Sequence, residues 1–256
     1  VGTKGVKVAR SVLYQQVASE LRRAIYSGVL GPGAQLPTEA QLMEDHGVSR
    51  NTVRLALGEL VNEGLITRTP RRGTVVRDRR PLLIYPQREL EPQPLAEPRE
   101  AFAYAVTQEG REPSQYIEVL TVSPVEEIAS RLELSDGELA VVRRRLRFVD
   151  GQPYNTNDSY FPRDLVADSE IARPGDIERG ANRVLEELGH GQVRVVDDIW
   201  ARMPTQEEAE RLQLELGTPV MVYIRVGYDR FDTPVRVAVS VLPADKHLIR
   251  YELDRR

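Results

Sequence analysis

The sequence predicts an α+β chain: a winged helix-turn-helix, then an antiparallel sheet with flanking helices. Three observations carry this. Two short, capped helical segments are separated by a single glycine and followed by a small hairpin, between Thr38 and Val76. A helix–glycine–hairpin pattern occurs twice further on, at an offset of 80 residues. Charge divides with the pattern: residues 1–80 hold 13 Lys plus Arg against 7 Asp plus Glu, and residues 81–256 hold 22 against 32. A basic module joined to an acidic one implies two tasks.

Leu13, Val17, Leu21, Ala24 and Ile25 recur at helical spacing and mark a first helix, with Gly28 beyond its end. Thr38 followed by Gln41 is a capping box, which opens a second helix bearing Leu42 and Met43. Gly47 ends that helix in a left-handed conformation. Ser49 caps a third helix, in which Val53, Leu57, Leu60 and Val61 form one apolar face. Val48 and Val53 have the spacing of a hydrophobic staple. The hairpin runs from Leu65 to Val76, with Arg71, Arg72 and Gly73 at its tip, and reads as a wing beside the third helix.

The outer face of the third helix carries Arg50, Asn51 and Arg54 in its first turns. Arg and Asn have the forked donors and acceptors that match guanine and adenine edges or phosphates. In helix-turn-helix proteins it is this end of the second helix that enters the major groove. An ordinary solvated face would look similar in isolation. The helix pair and the wing favour recognition of double-stranded DNA.

Composition narrows the remaining classes. The chain is 41% hydrophobic and 29% charged, as expected of a soluble globular protein. No apolar run is long enough to cross a bilayer, and no signal peptide is recognisable, so a cytoplasmic protein without membrane contact is expected. With no cysteine, disulfides and thiolate chemistry are excluded. His46, His190 and His247 are scattered, so neither a metal site nor a cofactor is expected. No nucleophile–base pair or phosphate loop supports an enzyme.

The second half opens with Ala129, Arg131, Leu132, Leu134, Gly137, Val142 and Arg145, which align with Ala209, Arg211, Leu212, Leu214, Gly217, Val222 and Arg225. Each copy is expected to start on a capping box, Ser123 with Glu126 and Thr205 with Glu208. Two strands around Asp150-Gly151 follow in the first copy and two around a longer turn in the second. A helix over 177–188, ended by Gly189, and a strand over 193–201 lie between. Two related units predict a pseudo-twofold sheet. Residues 77–95, rich in proline, read as a linker with one short strand near Leu82. The domains are therefore expected at 1–76 and 96–256.

Residues 13–76 resemble the N-terminal domain of GntR-family bacterial repressors. The resemblance rests on Leu36-Pro37-Thr38-Glu39, Gly47-Val48-Ser49-Arg50, Thr52-Val53-Arg54, and Gly64-Leu65-Ile66 followed by Gly73-Thr74. It implies that Arg50 and Arg54 contact bases or nearby phosphates, Asn51 and Thr52 phosphates or base edges, and Arg71–Gly73 the adjacent minor groove. Thr38, Gln41 and Ser49 complete the implied interface. Some members carry an arginine where Ala40 stands, and Gln41 is its partial substitute.

The second domain resembles the UTRA domain of the HutC-type branch, which shares the chorismate-lyase fold. The carrying residues are Arg145-x-Arg147, Asp150-Gly151-Gln152-Pro153 and Ser159-Tyr160-Phe161-Pro162. The resemblance implies a homodimer on a palindromic operator, with a small-molecule effector whose anionic group meets Arg145 and Arg147. These two are two apart on a strand and share a face. Asn157, Ser159, Tyr160 and Arg236 are the other expected lining residues. Asn157 and Arg236 stand where sugar-phosphate-binding members often carry Glu, so the expected lining is more positive. The implied activity is ligand-responsive regulation of transcription, by repression. A constitutive or plasmid-maintenance repressor whose second domain only dimerises is the alternative.

Overall fold

A computed structural model of the chain describes residues 3–69, 73–77, 81–90, 101–214 and 217–253. They fall into two compact units, Val1–Arg80 and Pro81–Arg256.

In the first unit, α1 (Thr3–Tyr26), α2 (Glu39–His46) and α3 (Arg50–Asn62) precede β1 (Ile66–Thr69) and β2 (Gly73–Val76). The apolar stripes of the helices converge: Val17 and Leu21 of α1, Leu42 of α2, and Val53, Leu57 and Leu60 of α3 are buried together with Leu36, Ile66 and Val76. Both helix starts follow from local chemistry. Thr38 Oγ1 accepts from Gln41 N while Gln41 Oε1 accepts from Thr38 N, so two backbone donors are satisfied reciprocally. Ser49 Oγ accepts from Thr52 N. Between them Gly47 has φ +61°, a conformation that lets α2 stop and the cap of α3, Ser49, follow two residues later. The segment before α2 runs beside β2, with Leu36 N donating to Thr74 O and Val76 N to Ala34 O. Arg22 of α1 reaches Glu59 at 3.1 Å and Glu63 at 2.9 Å, which ties the far end of α3 to α1.

The second unit is built on one six-stranded antiparallel sheet of β4 (Pro113–Val122), β5 (Ala140–Val149), β6 (Gln152–Pro162), β7 (Arg194–Arg202), β8 (Val220–Tyr228) and β9 (Pro234–Pro243). Their order is β4-β5-β6-β9-β8-β7. Each half is a strand, a short helix and a hairpin; the halves meet where β6 pairs with β9, which gives the pseudo-twofold arrangement. The first hairpin turns through Asp150 at φ +52° and Gly151 at φ +73°, the left-handed pair that a two-residue turn requires. The helices are α5 (Glu126–Arg131) and α8 (Gln206–Arg211). Ile128 of α5, with Leu132, packs on Val222, Ile224 and Val226 of the other half. α4 (Ala101–Gln108), α6 (Arg163–Val166) and α7 (Ala181–Glu187) are the other α-helices among the described residues of this unit.

Three details differ from the sequence reading. Thr205 and Glu208 form the expected capping box, but α5 is capped by Val125 with no side-chain bond, so Ser123 is not its cap. The repeat explains this: Val125 is the residue 80 positions before Thr205. The helix expected over 177–188 begins only at Ala181, because Gly180 has φ +80° and cannot continue a helical turn. The short strand expected near Leu82 is present as β3 (Leu82–Ile84), but the linker reading did not foresee that it pairs in parallel with β10 (His247–Ile249) or that a 3-10 turn over Pro86–Leu90 follows. Residues 91–95 lie outside the described residues.

Removing the Thr205 cap should cost about 1 kcal/mol, whereas Ser123→Ala should leave stability unchanged. Urea denaturation followed through the fluorescence of Trp200, the single tryptophan and part of β7, checks both. Equal losses in the two variants would refute the cap assignment.

Candidate functional site

Two groups of residues were singled out in the sequence, one in each unit. In the first unit, Arg50, Asn51 and Arg54 are exposed on α3, and Ser49 at its start and Thr38 and Gln41 at the start of α2 are exposed as well. Arg54 is not idle: its Nε lies 3.5 Å from Glu39 Oε1, an ion pair between the two helices. Thr52 departs from expectation. It is 5% exposed, and its Oγ1 lies 2.9 Å from Ser49 Oγ, so the side chain turns inward and supports the cap instead of facing outward. Helical spacing accounts for this, since Thr52 and Ala56, both buried, are four apart. Gly73 at the wing has φ +76°. Arg71 and Arg72 lie outside the described residues. Leu55, 50% exposed beside Arg54, lies off the apolar face read from the sequence and adds an apolar side chain to the exposed one.

In the second unit, strand pairing places Arg145 opposite Asn157, Asn157 opposite Ser240, and Ser159 opposite Ala238. Register partners share a face, so Arg143, Arg145 and Arg147 of β5, Asn155, Asn157 and Ser159 of β6, Arg236 and Ser240 of β9, and Tyr223 and Arg225 of β8 form one polar surface. Asn157 Nδ2 donates to Ser240 Oγ at 2.9 Å and its Oδ1 accepts from Ser159 Oγ at 3.1 Å. Arg236 donates to Ser159 Oγ at 3.1 Å and to Asn182 Oδ1 at 2.9 Å. Arg147 stacks on the Phe102 ring at 4.8 Å.

Tyr160 does not belong to this surface. Its neighbours in the sequence, Ser159 and Phe161, alternate with it, so it projects to the opposite face and packs beside Ile128 and Leu132. Arg144 also faces that way, as expected from alternation, with Nε 3.5 Å from Asp158. Arg143 is buried and serves the fold: its guanidinium donates to the carbonyls of Ile171 at 3.0 Å and Arg173 at 2.9 Å, and also to Gly175. It clamps the turn before α7.

The internal repeat exposes an asymmetry on this surface. Arg225, the twin of Arg145, is 3% exposed and bidentate with Asp197 at 2.7 and 2.8 Å. Tyr223 and Tyr251 also donate to Asp197, at 3.1 and 2.5 Å. Burial pushes the Asp197 carboxyl up, but the hydrogen bonds from Arg225 and Tyr251 outweigh it and hold the group below the usual carboxylate range. Arg225 also donates to the Pro86 carbonyl at 2.8 Å. Asp197 pairs with Arg225 as Ile117 pairs with Arg145. The same place on the sheet thus carries an acid in one half and an aliphatic side chain in the other.

Asn155, Ser240, Asn182 and the Asp197–Arg225 pair were not foreseen. Asn155 was within reach of period-two reading from Asn157, and Asp197 within reach of the offset of 80 residues. Asn182 is held by tertiary contacts that no local pattern encodes. Among the described residues no group of three or more His, Asp or Glu side chains is arranged to hold a metal. No helix among them is long and apolar enough to cross a membrane.

Comparison with known proteins agrees with this division. The gntR family of bacterial regulatory proteins matches residues 13–76, and the UTRA domain matches residues 108–247. An HTH-type transcriptional regulator of Streptomyces coelicolor is 32% identical over 89% of this chain and 87% of its own length. The HTH-type transcriptional repressor NagR of Bacillus subtilis is 28% identical over 95% of each chain. The crystal structure of PhnF from Mycobacterium smegmatis shares the fold, with a TM-score of 0.58 and 24% identity, covering 94% of this chain and all of that one. These families and relatives are regulators of transcription and not enzymes. The chain belongs to the GntR family, as a transcriptional regulator that joins a helix-turn-helix DNA-binding domain to a UTRA effector-binding domain.

Proposed function

We propose that this regulator is a repressor that binds a palindromic operator as a homodimer and answers to a small anionic metabolite held by Arg145 and Arg147. The observation that supports the effector class is the gathering of guanidinium groups on one face of the sheet: Arg145, 5% exposed, and Arg147 stand two apart on β5, and Arg236 lies on the same face from β9. Guanidinium groups brought together in this way suit a phosphate or carboxylate, which accepts from them bidentately. Arg236 extends the set of charged donors on the same face, so a phosphate or carboxylate could be held at more than one point. The NagR relative carries "repressor" in its name, which supports the sign of regulation. Binding of the anion alters DNA affinity through its unequal affinity for two arrangements of the dimer.

Selection of genomic fragments by the purified protein tests the operator. Enriched sites should contain inverted half-sites about one turn of DNA apart or a multiple of that. Enrichment of unpaired half-sites would refute the dimeric, palindromic reading. On such a site Arg50→Ala and Arg54→Ala should each cost roughly 1–3 kcal/mol if the contact is to a base, read by anisotropy titration at fixed salt. If both variants bind as tightly and selectively as the parent, α3 is not the reading element.

The effector class is tested by giving the first half the acid of the second. Ile117→Asp should fold, bind DNA, and lose its response to anionic metabolites. Arg145→Ala should lose that response too. A calorimetric titration in which Ile117→Asp binds the inducing anion as well as the parent would overturn the placement.

A further inference from the structure

Asn155 is 2% exposed and lies on the arginine face, in register with Arg147 and two residues from Asn157. Its amide is oriented by a histidine. His247, 4% exposed, places Nδ1 2.9 Å from the Pro243 carbonyl oxygen and Nε2 3.1 Å from Asn155 Nδ2. A carbonyl only accepts, so Nδ1 carries the proton. Burial, together with the charges of Lys246 and Arg147, lowers the pKa of His247 to about 3, so the ring is neutral and Nε2 has a lone pair. Nε2 therefore accepts from Asn155 Nδ2, and the amide cannot be flipped without setting oxygen against a lone pair. Asn155 Oδ1 is then fixed as the amide atom that does not face the ring. Among the described residues nothing donates to it, although it is buried. Buried acceptors are nearly always satisfied, and one left without a donor needs an explanation.

We infer that Asn155 is a specificity-determining residue of the effector site: its Oδ1 receives a hydroxyl or amide N–H that the effector carries beside the anionic group held by Arg145 and Arg147. The inference rests on the anionic-effector reading above and narrows it. A bare anion or an alkyl phosphate satisfies the arginines and leaves Oδ1 without a donor. A hydroxylated or amidated metabolite phosphate or carboxylate satisfies both. His247 acts only as a positioning residue, through the amide.

The test uses the full chain and two matched series in calorimetric titrations: ω-hydroxyalkyl phosphates of two to four carbons, and the alkyl phosphates of the same length. In the parent protein at least one hydroxyalkyl phosphate should bind about tenfold tighter than its alkyl partner, the size expected when a buried acceptor gains a donor. In Asn155→Leu that preference should shrink to about twofold or less, with alkyl phosphate affinity kept. Equal affinity across every pair in the parent protein would overturn the role of Asn155, and this comparison holds even if the leucine variant does not fold. A preference that survives in a folded Asn155→Leu would overturn it as well. Binding of neither series, nor of the two corresponding carboxylate series, would refute the arginine-face reading itself, which separates the two failures.

Discussion

Five guanidinium groups on one face of a single sheet set the dominant constraint on the second unit. Arg143, Arg145, Arg147, Arg225 and Arg236 all lie on the strand positions that share that face. Each has to recover what it loses on leaving water. Arg143 does so with backbone carbonyls, Arg225 with a bidentate carboxylate, and Arg236 with a serine and an asparagine. Arg147 spreads over an aromatic ring. The surrounding elements follow from these solutions. The turn ahead of α7 is shaped by carbonyls aimed at Arg143, and the residues after β3 are held by Arg225 at Pro86.

The first unit depends on shorter-range chemistry. Two hydroxyls, one glutamine and one left-handed glycine decide where α2 stops and α3 starts. Its exposed arginines need no internal compensation, although Arg54 pairs with Glu39. That pair leaves Arg54 poised but not committed, since an exposed ion pair is worth at most about 1 kcal/mol.

This difference in range explains how much was legible beforehand. Caps and turns are encoded within four residues, so Thr38, Gly47, Ser49 and Asp150-Gly151 were readable one by one. The repeat was readable as well, and it carried the pseudo-twofold sheet with it. Errors arose where a local cue competed with tertiary placement. Ser123 with Glu126 has the composition of a capping box but sits two residues too early. Tyr160 was grouped with Ser159 by motif, although period two puts adjacent residues on opposite faces. β4 alternates half-buried and exposed along Pro113–Leu120 yet was passed over, because it precedes the part of the repeat that is conserved between the copies. The partners of Asn155 and Tyr154 at His247 and Lys246 lie 92 residues away, beyond any local pattern.

The near-equivalence of the two half-sheets also bears on how such a chain can change over generations. A duplicated unit holds two versions of each structural position, and only one must preserve the ancestral contact. Here one version, Asp197 with Arg225, closes the charge internally and ties down the chain near Pro86. The other places Ile117 beside Arg145, so the first half does not repeat that tie. A substitution at Ile117 therefore leaves untouched the contact that fixes the chain near Pro86.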